Sequence, residues 1–328
     1  MSVIDSYIDK IKGKALRVVF PEGRDERLIQ AARKLKDDGL AEPVLLGSAE
    51  QIAQATAKAG VDIADIEVIA PKQSDKLESY AESYAARRDG INAKIAKRII
   101  SKPMFYGGMM VSTGDVDTMV AGAASATATV IQAGTLAVGL AEGINTVSSF
   151  FLMVIPDFLG EKDKRFIYAD CAVNIDPTAE ELADIALASA KSGAKLLGEE
   201  PRVAMISFST KGSASGPKVS KVVKALEIAR GHEPNLAIDG EFQADTAVVP
   251  AVAAKKVKTE SAVAGKANVL IFPDLDTGNA SYKLTQYMAG AKAIGPFLQG
   301  FAAPISDLSR GASVDDIVST TIITLAQL

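Results

Sequence analysis

Short apolar runs alternate along this chain with longer segments of helical period. Leu16-Arg-Val-Val-Phe20 is rich in β-branched residues and stops at Pro21-Glu22-Gly23, and a helical stretch follows to about Asp38. Pro43-Val-Leu-Leu-Gly47 reads as a second strand, followed by an Ala-rich helix whose expected cap is the Ser48 hydroxyl. Ile66 to Ile69 gives a third strand, and Met119-Val120 lies in a fourth. The second half repeats the style, with strands at Phe166-Ile-Tyr168, Val203-Ala-Met-Ile206, Leu236-Ala-Ile238 and Val269-Leu-Ile-Phe272. Its helices are expected at about Thr178–Leu197, Lys218–Arg230 and Gly278–Met288, and Ser313 to Leu328 reads as one amphipathic helix. Strand, loop and helix at this spacing predict right-handed βαβ units: an α/β fold of parallel-rich sheets covered by helices on both faces.

One segment interrupts the pattern. Thr118 to Ala141 carries no charge, and a second apolar run, Phe150-Phe-Leu-Met-Val-Ile155, follows Glu142. The first is built mainly of Ala, Gly, Ser and Thr with Gln132 in its middle, and the second is too short to span a bilayer. A close-packed interior helix is the expectation for the first, and no membrane partner is expected. The length, 328 residues, suggests two domains. No repeat, low-complexity tract or long linker separates them, so they should meet at short crossovers, near Ile144–Ile155 and at Gly295-Pro296.

Composition narrows the chemistry sharply. The chain has one histidine, His232, one cysteine, Cys171, and no tryptophan. That excludes a zinc site of the two- or three-histidine kind, an intramolecular disulfide and a Cys-x-x-Cys cluster. A Ser–His–Asp hydrolase would have to use His232, which has no nucleophile motif near it. Cys171 adjoins neither histidine nor lysine and reads as a small buried residue. A formal net charge of −4 argues against a general nucleic-acid binder. With no secretory signal and no disulfide pair, a cytoplasmic address is expected.

Carboxylates, arginines, hydroxyls and backbone are left to do the work. No Gly-x-Gly-x-x-Gly follows the first strand and no Gly-Lys-[Ser/Thr] loop is present. The densest polar cluster is Asp307-Leu-Ser-Arg-Gly-Ala-Ser-Val-Asp-Asp316. Ser309 and Arg310 beside a glycine suit a phosphate or oxyanion, because arginine offers a planar fork and Gly311 lets the backbone approach. Asp316, a turn and a half later, can face such an anion. The spacing Ser313-x-x-Asp316 is equally that of a capping box that only starts the last helix. Arg87 and Arg88 follow a helix, where a cation suits the dipole and says little alone. Ser125, Thr127 and Thr129 follow the fourth strand at a helix start, where hydroxyls and free N–H groups serve either an anion or close packing. The acids in Phe272-Pro-Asp-Leu-Asp-Thr-Gly-Asn279 sit at a strand's carboxyl end, where ligands bind, and equally suit a turn and a cap.

Taken in order, five motifs have a familiar arrangement. Val19-Phe-Pro-Glu-Gly23 with Asp25-Glu-Arg27, Phe166-Ile-Tyr-Ala-Asp-Cys-Ala-Val-Asn174, Ser207-Phe-Ser-Thr-Lys-Gly-Ser213, Phe272-Pro-Asp-Leu275 with Gly278-Asn279, and Asp307-Leu-Ser-Arg-Gly311 resemble the phosphate acetyltransferase (phosphotransacetylase) family from about residue 16 to the end. The resemblance implies the reaction acetyl-CoA + phosphate ⇌ CoA + acetyl phosphate, with CoA and acetyl-CoA as substrates and no bound metal or redox cofactor. It implies an isocitrate/isopropylmalate dehydrogenase-like fold, with residues 1–145 and 297–328 forming one domain and 146–296 the other. The active-site cleft would lie between them, in a homodimer. It makes Asp316 the general base for the CoA thiol, Arg310 its partner in orienting the substrates, and Ser309 the hydroxyl that supports the transition state. Arg87 becomes a phosphate-binding arginine, and Thr127 and Thr129, with Ser125 beside them, contact the acyl phosphate. A thiol of pKa about 8.5 is mostly protonated at neutral pH, so a base is needed, and arginines with a helix start can hold the departing phosphate.

One position departs from the family. Where many members carry an arginine, this chain has Gln132, which donates hydrogen bonds but brings no charge; Ser125 stands near where many have a histidine. A role beyond a polar contact is not expected of Gln132, and Arg88 is a candidate stand-in. Two other readings stay open: a phosphate butyryltransferase-like enzyme, and a non-catalytic regulatory or assembly module of the same fold.

Overall fold

In the computed structural model, which describes residues 3–328, eleven strands are assigned among the described residues. They are β1 (Arg17–Phe20), β2 (Glu42–Leu46), β3 (Glu67–Ile69), β4 (Thr118–Ala121), β5 (Ser148–Phe158), β6 (Glu161–Ala169), β7 (Val203–Ile206), β8 (Ile238–Phe242), β9 (Val269–Ile271), β10 (Lys292–Gln299) and β11 (Ile305–Asp307). The chain divides into two units, one running up to Ala141 and taking in Phe301–Leu328, the other Glu142–Gly300.

In the first unit the strands run in the order β3-β2-β1-β4-β11, and every pairing is parallel. Val18, Val19 and Phe20 are all 0% exposed, which a strand achieves only when helices cover both faces of its sheet. Val19 and Met119 point to one face, where Gly107 of the helix Pro103–Ser112 packs so closely that an added Cβ would sit 3.2 Å from Met119 Sδ and 3.4 Å from Val19 Cγ1. The helices Glu26–Asp37 and Val314–Leu325 pack against each other elsewhere in the unit. The last helix is buried on nearly every side, from Ile317 to Leu325, rather than amphipathic as expected. Two of its three buried threonines, Thr321 and Thr324, donate their hydroxyls to the carbonyls of Ile317 and Thr320.

The second unit orders its strands β10-β5-β6-β9-β7-β8. Only the β6-β9-β7-β8 part is parallel; β5 pairs antiparallel with both β6 and β10, so this sheet is mixed rather than uniformly parallel. Of the stretches expected to hold the crossovers, Ile144–Ile155 runs into β5 from Ser148 onward, and the Gly295-Pro296 pair lies inside β10. The expected interior helix over Thr118–Ala141 is not one element. It divides into β4, a loop, the helix Thr127–Ala133 and a π turn, Gly134–Val138. No described helix is long and apolar enough to cross a membrane. Local capping follows the sequence more faithfully: Ser48 caps its helix through Gln51 N, and Asp274 caps the helix Leu275–Met288 through Thr277 N, the turn-and-cap reading of that motif. Cys171 is fully buried, and burial drives its thiol pKa well above the ordinary value.

Candidate active site

The strands of the first unit deliver their carboxyl ends to one edge, the position at which α/β sheets bind ligands. β1 leads into Pro21-Glu22-Gly23, β4 into Gly122–Ala126 and β11 into Leu308–Ala312. Three side chains fasten these loops together. Glu22 is buried, and its carboxylate accepts Gly122 N–H at 2.8 Å and Ala124 N–H at 3.0 Å. Arg27, in the first turn of the helix Glu26–Asp37, donates to the carbonyls of Ala123 (2.9 Å), Arg310 (2.9 Å) and Ala312 (2.8 Å). Its hydrogen bond to Asp25, the N-cap of that helix, raises the guanidinium pKa further above its ordinary value. One arginine therefore joins the loop that holds Ser125 to the loop that holds Ser309 and Arg310.

The third fastening is Asp307, the last residue of β11, which accepts a hydrogen bond from the Thr127 hydroxyl. Asp307 is 5% exposed, and its other oxygen, Oδ1, is buried without a hydrogen-bond partner. Burial pushes its carboxyl up to about 6; the Thr127 hydrogen bond opposes that rise and the nearby Glu22 charge adds to it.

The three hydroxyls grouped by the sequence part company here. Thr127 turns to Asp307. Ser125 and Thr129 instead line a cavity of about 630 Å³, together with Gln132. Thr129 and Gln132 are three residues apart on one helix, which places them on the same face. The cavity falls in the usual range for small-molecule pockets, roughly 300–1,000 Å³. Arg24, Lys72 and Lys102 also line it, and none of them forms an ion pair among the described residues. Leu46, Met104 and Phe105 supply apolar wall. Three exposed cations over a partly apolar floor suit a ligand that carries several negative charges and an organic body.

Ser309 and Arg310 are exposed on the loop after β11, where Ser309 Oγ accepts Gly311 N–H at 3.2 Å. Asp316 forms the capping box: its Oδ2 accepts Ser313 N–H (2.9 Å) and Ser313 Oγ–H (2.8 Å), while Ser313 Oγ accepts Asp316 N–H (3.2 Å). Both contacts fall on Oδ2, so Oδ1 of this exposed residue remains available to another partner. Arg87 ends the helix Leu77–Ala86 and donates to Ser112 Oγ (2.7 Å) and Ser83 Oγ (3.0 Å). It does not line the cavity, and neither of its hydrogen-bond partners is another candidate residue. Arg88, the candidate stand-in for the charge missing at Gln132, lies over the Tyr84 ring at 4.2 Å and does not line the cavity either. The cations that do accompany Gln132 were not singled out by sequence reasoning. Lys72 and Lys102 sit beside Pro71 and Pro103 in no recognisable motif, whereas Glu22 and Arg27 lie in the first motif without an assigned role.

Over residues 2–325 the chain matches the family described as phosphate acetyl/butaryl transferase. A phosphate acetyltransferase from Thermoanaerobacterium thermosaccharolyticum is 48% identical over 329 residues, covering 100% of this chain and 99% of the relative. One from Bacillus subtilis is 37% identical, with 97% of each chain covered. The solved structure of a phosphotransacetylase from Streptococcus pyogenes matches at a TM-score of 0.91 and 41% identity, over 100% of this chain and 99% of the other. With loops, motifs and full-length similarity in agreement, this chain belongs to the phosphate acetyl/butaryl transferase family.

Proposed function

We propose that the chain is a phosphate acetyltransferase, an acyltransferase that moves an acetyl group reversibly between CoA and phosphate. The observation that carries this reading is the Arg27 and Asp307 fastening, which gathers the hydroxyl loop after β4 and the Ser309-Arg310 loop after β11 at one sheet edge. Full-length similarity to phosphate acetyltransferases supports it. In the synthetic direction for acetyl-CoA, the CoA sulfur attacks the acetyl carbonyl carbon of acetyl phosphate. The S–C bond forms, the bond between the carbonyl carbon and the oxygen bridging to phosphorus breaks, the thiol proton passes to Asp316, and phosphate leaves with the bonding pair on that oxygen. Arg310 orients the substrates and offsets the phosphate charge, Ser309 donates to the oxygen on which charge develops, and Ser125 and Thr129 hold the phosphoryl group. Arg87 is proposed as a more distant phosphate contact, engaged by substrate rather than by the cavity. The two units are proposed as the two domains of an isocitrate/isopropylmalate dehydrogenase-like fold.

Arsenate-dependent loss of the acetyl-CoA thioester absorbance on the purified chain tests the reading. Turnover of butyryl-CoA in preference to acetyl-CoA would replace it with the longer-chain enzyme, and no turnover of any acyl-CoA would leave the non-catalytic module. We also propose a cytoplasmic homodimer, which requires a mass in solution twice that of one chain; a monomeric mass at micromolar concentration refutes it.

Gln132 provides a further check. A charge-assisted hydrogen bond exceeds a neutral one by about 1 kcal/mol, so Gln132→Arg should lower the KM for phosphate roughly fivefold. An unchanged KM would mean that Arg24, Lys72 and Lys102 already supply the charge.

A further inference from the structure

A buried carboxyl group with one hydrogen bond and one empty oxygen is an expensive arrangement unless its proton has a use. Asp307 is that group. Its Oδ2 meets the Thr127 hydroxyl, and its Oδ1 has no partner and faces the Cα of Gly122, where an added Cβ would stand 2.2 Å away. When Asp307 is ionised, Thr127 must donate its only hydroxyl proton to it, so Thr127 presents lone pairs outward. When Asp307 is protonated, no acceptor stands against Oδ1, so the proton is held on Oδ2 and donated to Thr127 Oγ1. The Thr127 proton is then released to point elsewhere.

We propose that Asp307 is a positioning residue that sets the hydrogen-bonding direction of Thr127, making it an acceptor while the carboxylate is charged and a donor to a phosphate-like anion once the carboxyl is neutral. This rests on the reading that the loop after β4 receives a phosphoryl group, and it separates the roles of hydroxyls that the family resemblance treats alike. Ser125 and Thr129 are free to donate at any pH, and Thr127 is not. Burial raises the carboxyl to about 6, which puts the change in an accessible range. The charged groups around it are accounted for. Glu22, from the loop after β1, is the carboxylate acting on it and has both oxygens engaged by Gly122 and Ala124 N–H. Arg27 is engaged by Asp25 and the loop carbonyls, and the neighbours from the loop after β4 and from the helix that follows it, Gly122 and Thr127, carry no charge.

Sulfate is the probe, because it resembles phosphate but does not titrate near neutrality. One hydrogen bond to a charged group corresponds to about a tenfold change in affinity, so calorimetric binding to the wild-type chain should tighten about tenfold from about pH 7.5 to about pH 5. Asp307→Asn can donate its amide to Thr127 permanently, and its affinity should be flat with pH at the tight level. Thr127→Val removes the hydroxyl, and its affinity should be flat at the weak level. A residue that merely supports the loop would not place two flat profiles at opposite levels. Should Asp307→Asn fail to fold, Thr127→Val decides alone. A wild-type profile without a step, absence of sulfate binding at both pH values, variants that keep the step, or Asp307→Asn at the weak level would each overturn the proposal. Acetyl-CoA turnover by the same wild-type sample reports separately on the proposed enzymatic function.

Discussion

Asp316→Asn should lower kcat by roughly 10²–10⁴-fold, the usual contribution of a general base, while leaving the unfolding temperature nearly unchanged. The two halves of this expectation come from different atoms. Stability depends on the capping box, in which Oδ2 accepts from the Ser313 backbone and hydroxyl. An asparagine amide oxygen can take over that acceptance, and a complete loss of such a cap costs only about 1 kcal/mol. Proton transfer depends on a carboxylate oxygen with a lone pair to spare, and Oδ1 supplies one on an exposed residue beside the Ser309-Arg310 loop. The capping and catalytic readings that spacing left open are therefore compatible rather than exclusive. Turnover that survives Asp316→Asn within a few-fold would reduce Asp316 to a cap and require another base. A parallel measurement of KM sharpens the result, since a base acting in the transition state changes kcat and kcat/KM together.

What the sequence made legible was local. Ser48 and Asp274 cap where hydroxyl and carboxylate precede helical runs, because a cap is decided within four residues. The Thr118–Ala141 stretch was legible only in part: the strand at Met119-Val120 and the helix start near Thr127 are where the sequence puts them, but the short length of that helix was hidden, because residues this small and uncharged carry no period. The β5–β6 hairpin was hidden because its turn, Leu159-Gly160, lacks the Asn-Gly or Asp-Gly signature, although both residues adopt the positive φ such turns require (53° and 87°). β8 was displaced because Asp239 and Glu241 look like loop residues; they are buried against Lys211 and Arg230, and against Ser209, which no local rule anticipates. The site divided in the same way. Ser309, Arg310 and Asp316 stood out as a contiguous cluster, whereas the Thr127–Asp307 bond spans 180 positions and the Arg27–Ala312 bond 285. Those pairings exist only once five strands have delivered their carboxyl ends to one edge.

That edge has little tolerance, and Gly122→Ala should be the most damaging single-methyl change in it. Gly122 has φ 103°, and an added Cβ would lie 2.2 Å from Asp307 Oδ1, 2.7 Å from Leu308 N and 2.8 Å from Leu308 O. Two of those three atoms are backbone, and Leu308 N is itself held by a 2.7 Å hydrogen bond to Ala121 O, so the neighbour cannot rotate away. Backbone strain of about 1–3 kcal/mol and overpacking of about 1–3 kcal/mol add to a loss of roughly 2–6 kcal/mol. Gly139 isolates the first part, because its φ is 91° and an added Cβ meets nothing within 4 Å. Gly139→Ala should therefore show the strain alone, and Gly122→Ala a fall in unfolding temperature at least twice as large. Movement of about 1 Å in the Leu308–Ser309 backbone would also misplace the Ser309 hydroxyl and the Arg310 side chain, a displacement that typically costs about 100-fold in rate. Activity measured well below the unfolding temperature separates the two effects. If Gly122→Ala unfolds no earlier than Gly139→Ala and keeps its kcat, the loops after β4 and β11 can part without consequence, and the fastening by Glu22, Arg27 and Asp307 is not what holds the site.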